Sequence, residues 1–274
     1  MHTLIRSSLA AALAIVGCAQ AATITVTPAD VGPPALDTWY LGNFRDTSTG
    51  YTSTTTAAIT GANPRSGNGS VAMSLTNATG KADYVYTWGV VAGRTLGNLN
   101  ALSLDWYRDG SSTAANLAPA MRLYYDVDGN GATTADQGYL VWEQTYNGAV
   151  VSDQWNSSNI LGSNFWMRQF DPGNTVEAFN VTLAQWAAGA HPSGVADILS
   201  ANTAILGIEF GIGSGWNGTF SGNVDNVTFG FVGEGSTTFN FETAAQGTVP
   251  EPGSLALLGL GLFGAALARK RRRA

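Results

Sequence analysis

The sequence predicts an all-β fold, a two-sheet antiparallel sandwich of the jelly-roll kind with one short helix and a targeting segment at each end. Three observations lead there. Apolar and polar residues alternate with a period of two in seven or more short runs, clusters of Gly, Asn, Ser, Thr and Asp separate those runs, and a single stretch carries helix-start chemistry. Strands of that period each bury one face, and several of them cover their apolar faces by stacking two sheets.

Val71–Leu75 and Tyr84–Trp88 are the first alternating runs. Leu102–Arg108 (LSLDWYR) is the clearest: Leu102, Leu104 and Trp106 alternate with Ser103, Asp105 and Tyr107. Met121–Asp126, Tyr139–Glu143, Ile205–Ile212 and Val224–Phe231 follow the same rule. Gly207 and Gly211 inside the sixth run point to a bulge or to a second backbone close by. Thr47–Ala62 is rich in Thr, Ser and Gly and is expected to be a long loop or a weak edge segment. Thr182 and Gln185 have capping-box spacing, Leu183, Trp186 and Ala187 share a helical face, and Gly189 with Pro192 ends that helix after about two turns. The sandwich is thus expected over residues 22–232, and 233–248 is a linker in which Thr238–Phe241 adds an edge strand.

Both ends carry sorting chemistry. Residues 249–274 read VPEPGSLALLGLGLFGAALARKRRRA: Pro250, Glu251 and Pro252, an uncharged apolar run from Leu255 to Ala268, then Arg269, Lys270, Arg271, Arg272 and Arg273. As a helix, Gly253 to Ala268 spans about 24 Å against a hydrocarbon core of roughly 30 Å, a shortfall that bilayer thinning and snorkelling cations accommodate. The cations stay in the cytoplasm, which puts the body on the far side of the membrane. At the other end, Arg6, the apolar run Leu9–Gly17 and Ala19-Gln20-Ala21 have the layout of a secretory signal peptide, residues 1–21. Ile15-Val16-Gly17-Cys18 offers a rival reading, a lipobox with Cys18 lipidated.

The C-terminal segment resembles the PEP-CTERM sorting signal of Gram-negative bacteria, with Pro250, Glu251 and Pro252 as the motif, Leu255–Ala268 as the transmembrane helix and Arg269–Arg273 as the basic end. The resemblance implies export across the inner membrane with signal peptidase and exosortase as processing partners. It further implies a transient membrane anchor and delivery to the cell surface or extracellular matrix. An ordinary tail anchor is the alternative, although it has no need of the Pro-Glu-Pro.

Composition bounds the exported body. Cleavage after Ala21 removes Cys18, so the mature chain holds no disulfide and must rest on its core. Arg6 and the five tail cations leave seven Lys and Arg in the body against 18 of the 19 acids, a net charge of about −11. That balance argues against nucleic acid and anionic lipid as partners by bulk electrostatics.

The body resembles exported PEP-CTERM proteins with a carbohydrate-module-like jelly roll, on the strand Leu104–Asp109 (LDWYRD), the hairpin Arg122–Glu143 and the closing stretch Gly211–Phe231. Val224-Asp225-Asn226-Val227 is similar to the last strand of many glycan-binding β-sandwiches. Two sites are expected. Asp126, Asp128 and Asn130 with Gly131 fit the opening of an oxygen-rich calcium loop. Its twelfth position is Gln137 rather than a carboxylate, so Asp136 is the substitute ligand. A hairpin loop of turn-favouring residues is the competing reading, and calcium is the one cofactor in view. Trp216 and Trp155 stand in polar loops and are expected to contact glycan.

Catalysis has little to draw on. The mature chain keeps only His191, so neither a multi-histidine metal site nor a thiol nucleophile is available. Asp105, Glu143, Glu209 and Asp225 are the carboxylates from which a glycosidase pair would have to come, and they are expected to be solvent-facing strand residues. Two functions stay open: a non-catalytic surface or matrix protein bound to exopolysaccharide, as in a biofilm matrix, and a secreted polysaccharide hydrolase.

Overall fold

The computed structural model describes residues 21–42, 55–213, 215, 216 and 218–245. The expected signal peptide up to residue 20, the sorting motif and the expected transmembrane span and basic tail lie outside the described residues. Among those described, no helix is long and apolar enough to cross a membrane.

In chain order the strands are β1 (Ala22–Val26), β2 (Val31–Gly32), β3 (Trp39–Leu41), β4 (Thr55–Thr60) and β5 (Ser70–Leu75). Next come β6 (Lys81–Thr87), β7 (Leu99–Arg108), β8 (Ala120–Asp126), β9 (Gln137–Trp142) and β10 (Trp155–Asn159). The last are β11 (Trp166–Gln169), β12 (Thr175–Val176), β13 (Ala204–Gly213), β14 (Phe220–Phe231) and β15 (Thr237–Phe241), with one α-helix, α1 (Leu183–Ala187), between β12 and β13. They make two sheets. The front sheet runs β12-β11-β9-β8-β13-β6-β3-β2, and the back sheet is built on β14, which pairs β7 along one edge. Along its other edge β14 pairs first β5 and then β15. The pairing is antiparallel except at two margins, where β1 lies parallel to β15 and β2 parallel to β3.

The Val-Asp-Asn-Val sequence marks the point where β14 changes partner. Phe220–Val224 pairs with β5 and Val227–Phe229 with β15, and the register against β7 shifts between Asp225 and Thr228. Asn226 takes a left-handed φ of 49°, a conformation that Asn tolerates better than most residues. Asp225 stabilises the bulge by accepting the N–H groups of Asn226 (2.8 Å), Phe241 (2.9 Å) and Ser66 (3.2 Å). The segment is therefore a device of the fold.

One core fills the space between the sheets. Met121, Leu123, Leu140, Phe210 and Ile212 from the front sheet and Leu102, Leu104, Trp106, Val224 and Phe231 from the back sheet are all buried in it. At one end Trp39 meets Phe210, Phe239 and Phe241 at centroid distances of 5.2 to 5.4 Å, which ties the two sheets together through edge and tilted ring contacts. The helix closes the core elsewhere with buried Leu183 and Trp186. Its capping box forms as the spacing predicts, with Thr182 N–H donating to Gln185 Oε1 at 2.9 Å and Gln185 N–H to Thr182 Oγ1 at 3.3 Å. It has five residues, shorter than the two turns expected, and Gly189 at φ 82° follows it.

One expectation changes, and two left as alternatives are decided. Residues 237–241 are neither linker nor edge: β15 sits between β14 and β1, with Phe239 and Phe241 in the core, and the compact unit extends to Ala244. Phe239 and Phe241, at alternate positions of that strand, are the two that reach the core, and β1 covers its outer edge. Within 47–62, residues 55–60 form edge strand β4. Gly207 and Gly211 have separate causes: a register shift falls between Ile205 and Gly207, whereas Gly211 leaves room for a side chain from the neighbouring strand.

Asp225 is buried, and desolvation raises its pKa from the ordinary carboxylate value to about 6. A folded-state pKa above the unfolded one means that the folded protein binds the extra proton, so this contribution is present at low pH and fades as pH rises through about 6. Denaturation of the parent against Asp225→Asn should show a fall of on the order of 2–3 kcal/mol in the parent between about pH 4 and pH 7 that the variant lacks. Parallel profiles would show that Asp225 is ionised throughout.

Candidate functional site

The front sheet carries the site because its strands use both faces. Inward residues of β8, β9 and β11 build the core, and the alternate positions build a second surface outside it. In register, Val85, Glu209, Arg122, Val141 and Trp166 form one row across β6, β13, β8, β9 and β11, with Tyr124, Tyr139 and Arg168 in the next row. Ala120, Tyr139 and Val141 are buried there in an apolar cluster separate from the main core, packed by Trp166 and Phe170.

A charge network holds this face together. Arg122 Nη1 donates to Asp83 Oδ1 at 2.7 Å and to Glu209 Oε1 at 2.5 Å, and Nη2 reaches the carbonyl of Gly213 at 3.3 Å. Lys81 Nζ lies 2.8 Å from the other oxygen of Asp83. Burial opposes the charge of Arg122, but the two carboxylates outweigh it and hold the guanidinium protonated. Asp83 reaches Arg122 across β13 at Gly211, where a Cβ would stand 1.9 Å from Asp83 Oδ1. Only glycine admits that crossing.

Above the network lies a cleft of about 270 Å³ whose walls include Lys81, Tyr139, Glu143, Trp166, Arg168 and Trp216. Trp166 is half-buried and its Nε1 donates to Glu143 Oε2 at 3.0 Å, which fixes the ring in the wall. Burial raises the pKa of Glu143, partly offset by that hydrogen bond and by the charge of Arg122. Arg168 Nη1 donates to Thr175 Oγ1 at 3.2 Å on the neighbouring strand β12. The cleft thus offers an aromatic ring edged by a carboxyl and two cations, with Trp166, Arg168 and Lys81 on strands and Glu143 directly after β9. Trp166 and Arg168 were legible in Phe165-Trp166-Met167-Arg168-Gln169, where buried Phe165, Met167 and Gln169 alternate with them.

The expected site residues are dispersed. Trp216 belongs to the cleft but is not an exposed loop ring: it is 7% exposed and packs edge-on against Phe220 at 5.0 Å. Trp155 begins β10 on the back sheet, beside Tyr107 and under the Arg65 guanidinium, each 6.0 Å away. The four carboxylates do not converge and are not solvent-facing strand residues. Asp105 and Asp225 lie in register on the back sheet. There Asp105 accepts from Arg65 Nε (3.0 Å) and Asn226 Nδ2 (2.9 Å). Glu209 is fully buried against Arg122, and Glu143 alone of the four lines the cleft.

In the 126–136 loop, oxygens of Asp126, Asp128 and Asp136 come within 4.8 Å of one another. Asp126 is fully buried and accepts from Gly129 N–H (2.6 Å), Gly131 N–H (3.2 Å) and Gln137 Nε2 (2.7 Å). Asn130 Oδ1 accepts from Ala132 N–H at 2.7 Å, so the amide expected as a ligand serves the turn. Asp126→Ala should therefore cost about 1–3 kcal/mol in thermal denaturation, equally with and without calcium. A loss confined to calcium-containing buffer would assign the loop to an ion instead.

Residues 248–273 match the family described as the PEP-CTERM protein-sorting motif. Residues 249–274, read from sequence as a sorting tail, thus carry a sorting motif, which implies export. No curated protein matches the chain in sequence. The solved structures that match include the following three. One is reported as "Structural basis for the promiscuous specificity of the carbohydrate-binding modules from the beta-sandwich super family", at 14% identity and TM-score 0.34, and the match covers 71% of this chain but only 58% of that one. Another is a family 11 carbohydrate-binding module from Clostridium thermocellum in complex with a beta-1,3-1,4-mixed-linked tetrasaccharide (16% identity, TM-score 0.34, 70% of this chain and 88% of that one). The third is the family 11 module of the cellulosomal cellulase Lic26A-Cel5E of the same organism (16% identity, TM-score 0.35, 76% and 96%). A β-sandwich body thus precedes a PEP-CTERM signal, which implies export and membrane-anchored sorting in a Gram-negative bacterium.

Proposed function

We propose that this chain is an exported, non-catalytic surface or matrix protein, sorted by exosortase through its C-terminal signal, that binds exopolysaccharide in the cleft of the front sheet. The observation that carries the binding role is the Trp166 ring, half-buried and held by Glu143 in a cleft outside the main core. A sugar ring stacks its C–H face on an aromatic face, and hydrogen-bonding groups at the rim orient its hydroxyls. A ring fixed on a strand does this with little entropy loss. The sorting role rests on the matched motif at 248–273.

A hydrolase remains the second reading because Glu143, with its raised pKa, lines the cleft as a general acid would. One panel separates the two. Purified protein incubated with bacterial exopolysaccharides should bind without releasing reducing ends, and Trp166→Ala should weaken binding about tenfold or more while Trp155→Ala leaves it unchanged. Release of reducing ends that is lost in Glu143→Gln would replace the binding role with hydrolysis. Binding equal in parent and Trp166→Ala would remove the cleft from the proposal.

Sorting is tested separately. Deleting residues 249–274 should keep the protein out of the surface and matrix fraction. Unchanged delivery would show that the tail does not direct it.

A further inference from the structure

The cleft has a charge character that the rest of the body lacks. Three of the body's seven Lys and Arg residues, Lys81, Arg122 and Arg168, line this one cavity, in a body of net charge about −11. Arg122 is spent on Asp83 and Glu209 in the floor. Lys81 shares Asp83 at 2.8 Å yet keeps a fifth of its side chain exposed (21%). Arg168 stands on β11 beside β12, with Thr175 as its neighbour. The two cations nearer the surface therefore share a cleft with Trp166, Tyr139 and the rim of Trp216.

A neutral glycan would use those cations only as hydrogen-bond donors and leave their charge unanswered. Stacking and hydroxyl contacts are served by Trp166, Glu143 and Thr175, and holding cations beside an apolar ring costs desolvation that uncharged ligand groups do not return. Carboxylates return it, and Arg and Lys meet them with charge-assisted hydrogen bonds. The negative body does not forbid such a ligand, because at physiological ionic strength charges more than about 8 Å away are largely screened. A ligand seated in the cleft meets the local cations first.

We propose that the cleft takes a carboxylated polysaccharide, a polymer of uronic-acid sugars, with a sugar ring on Trp166 and carboxylates on Lys81 and Arg168. This rests on the glycan-binding role proposed above.

The test is affinity of the purified protein for polygalacturonate and alginate, for polygalacturonate whose carboxyls have been chemically reduced, and for a neutral β-glucan. Binding should be seen with the two polyuronates, fall at least tenfold on carboxyl reduction and weaken steeply with salt. Arg168→Gln, at the rim, should lose several-fold with an unchanged melting temperature, and the Lys81→Gln, Arg168→Gln double variant should lose more. Binding to the β-glucan and to the reduced polymer as strong as to the polyuronates would overturn the carboxylate proposal and leave the glycan role standing. Binding to none of the four would overturn both.

Discussion

The front sheet depends on one buried cation. Arg122 sits on the outer face of β8, and its charge is met by Asp83 from β6 and Glu209 from β13. Removing one member of such a group leaves an uncompensated buried charge, at a typical cost of about 3–5 kcal/mol. The network therefore constrains three strands to one register, and it constrains β13 to carry glycine at 211, where Asp83 crosses. The floor of the cleft is polar, yet sealed and nearly neutral. The Trp166 wall stands on that floor, packed on the smaller apolar cluster outside the main core.

The two outer faces of the sandwich are used differently. On the back sheet the segment around residues 63–70 folds over the strands: Arg65 pairs with Asp105, Ser66 N–H with Asp225, and Asn68 N–H with Glu242. These contacts bury Asp225 and Glu242 completely. Asp105 and Asp225 are both held there by donors of the fold. The front face has the opposite economy of contacts, with its aromatic and charged residues gathered around a cavity. Function follows from which face the chain's own loops occupy.

The first and last strands of the body are neighbours. β1 begins at Ala22, directly after the expected signal-peptide cleavage point, and β15 ends at Phe241, before the sorting motif at 248–273. The parallel pairing of β1 with β15 brings the first and last strands of the folded unit side by side. β1 covers the edge of β15, and in doing so turns a segment of modest hydrophobicity into an interior strand.

The sequence by itself determined the sorting tail, the all-β class and the helix. Each of these is written in local chemistry: an apolar run with flanking motif and charges, a period of two, a capping box. It also placed Trp106 and Trp186 in the core, because alternation and helical spacing decide facing. Tertiary structure alone decided which side chains meet. Trp216 reads as an exposed loop ring until Phe220 is beside it, and Glu209 reads as a surface acid until β8 brings Arg122 alongside. Asp126 reads as a loop acid on its own, and only the closed loop gives it three N–H donors and brings Asp128 and Asp136 within 4.8 Å. Local pattern says which way a residue points, but long-range pairing across β6, β13, β8, β9 and β11 decides what stands next to it. That neighbour sets burial, charge and chemistry.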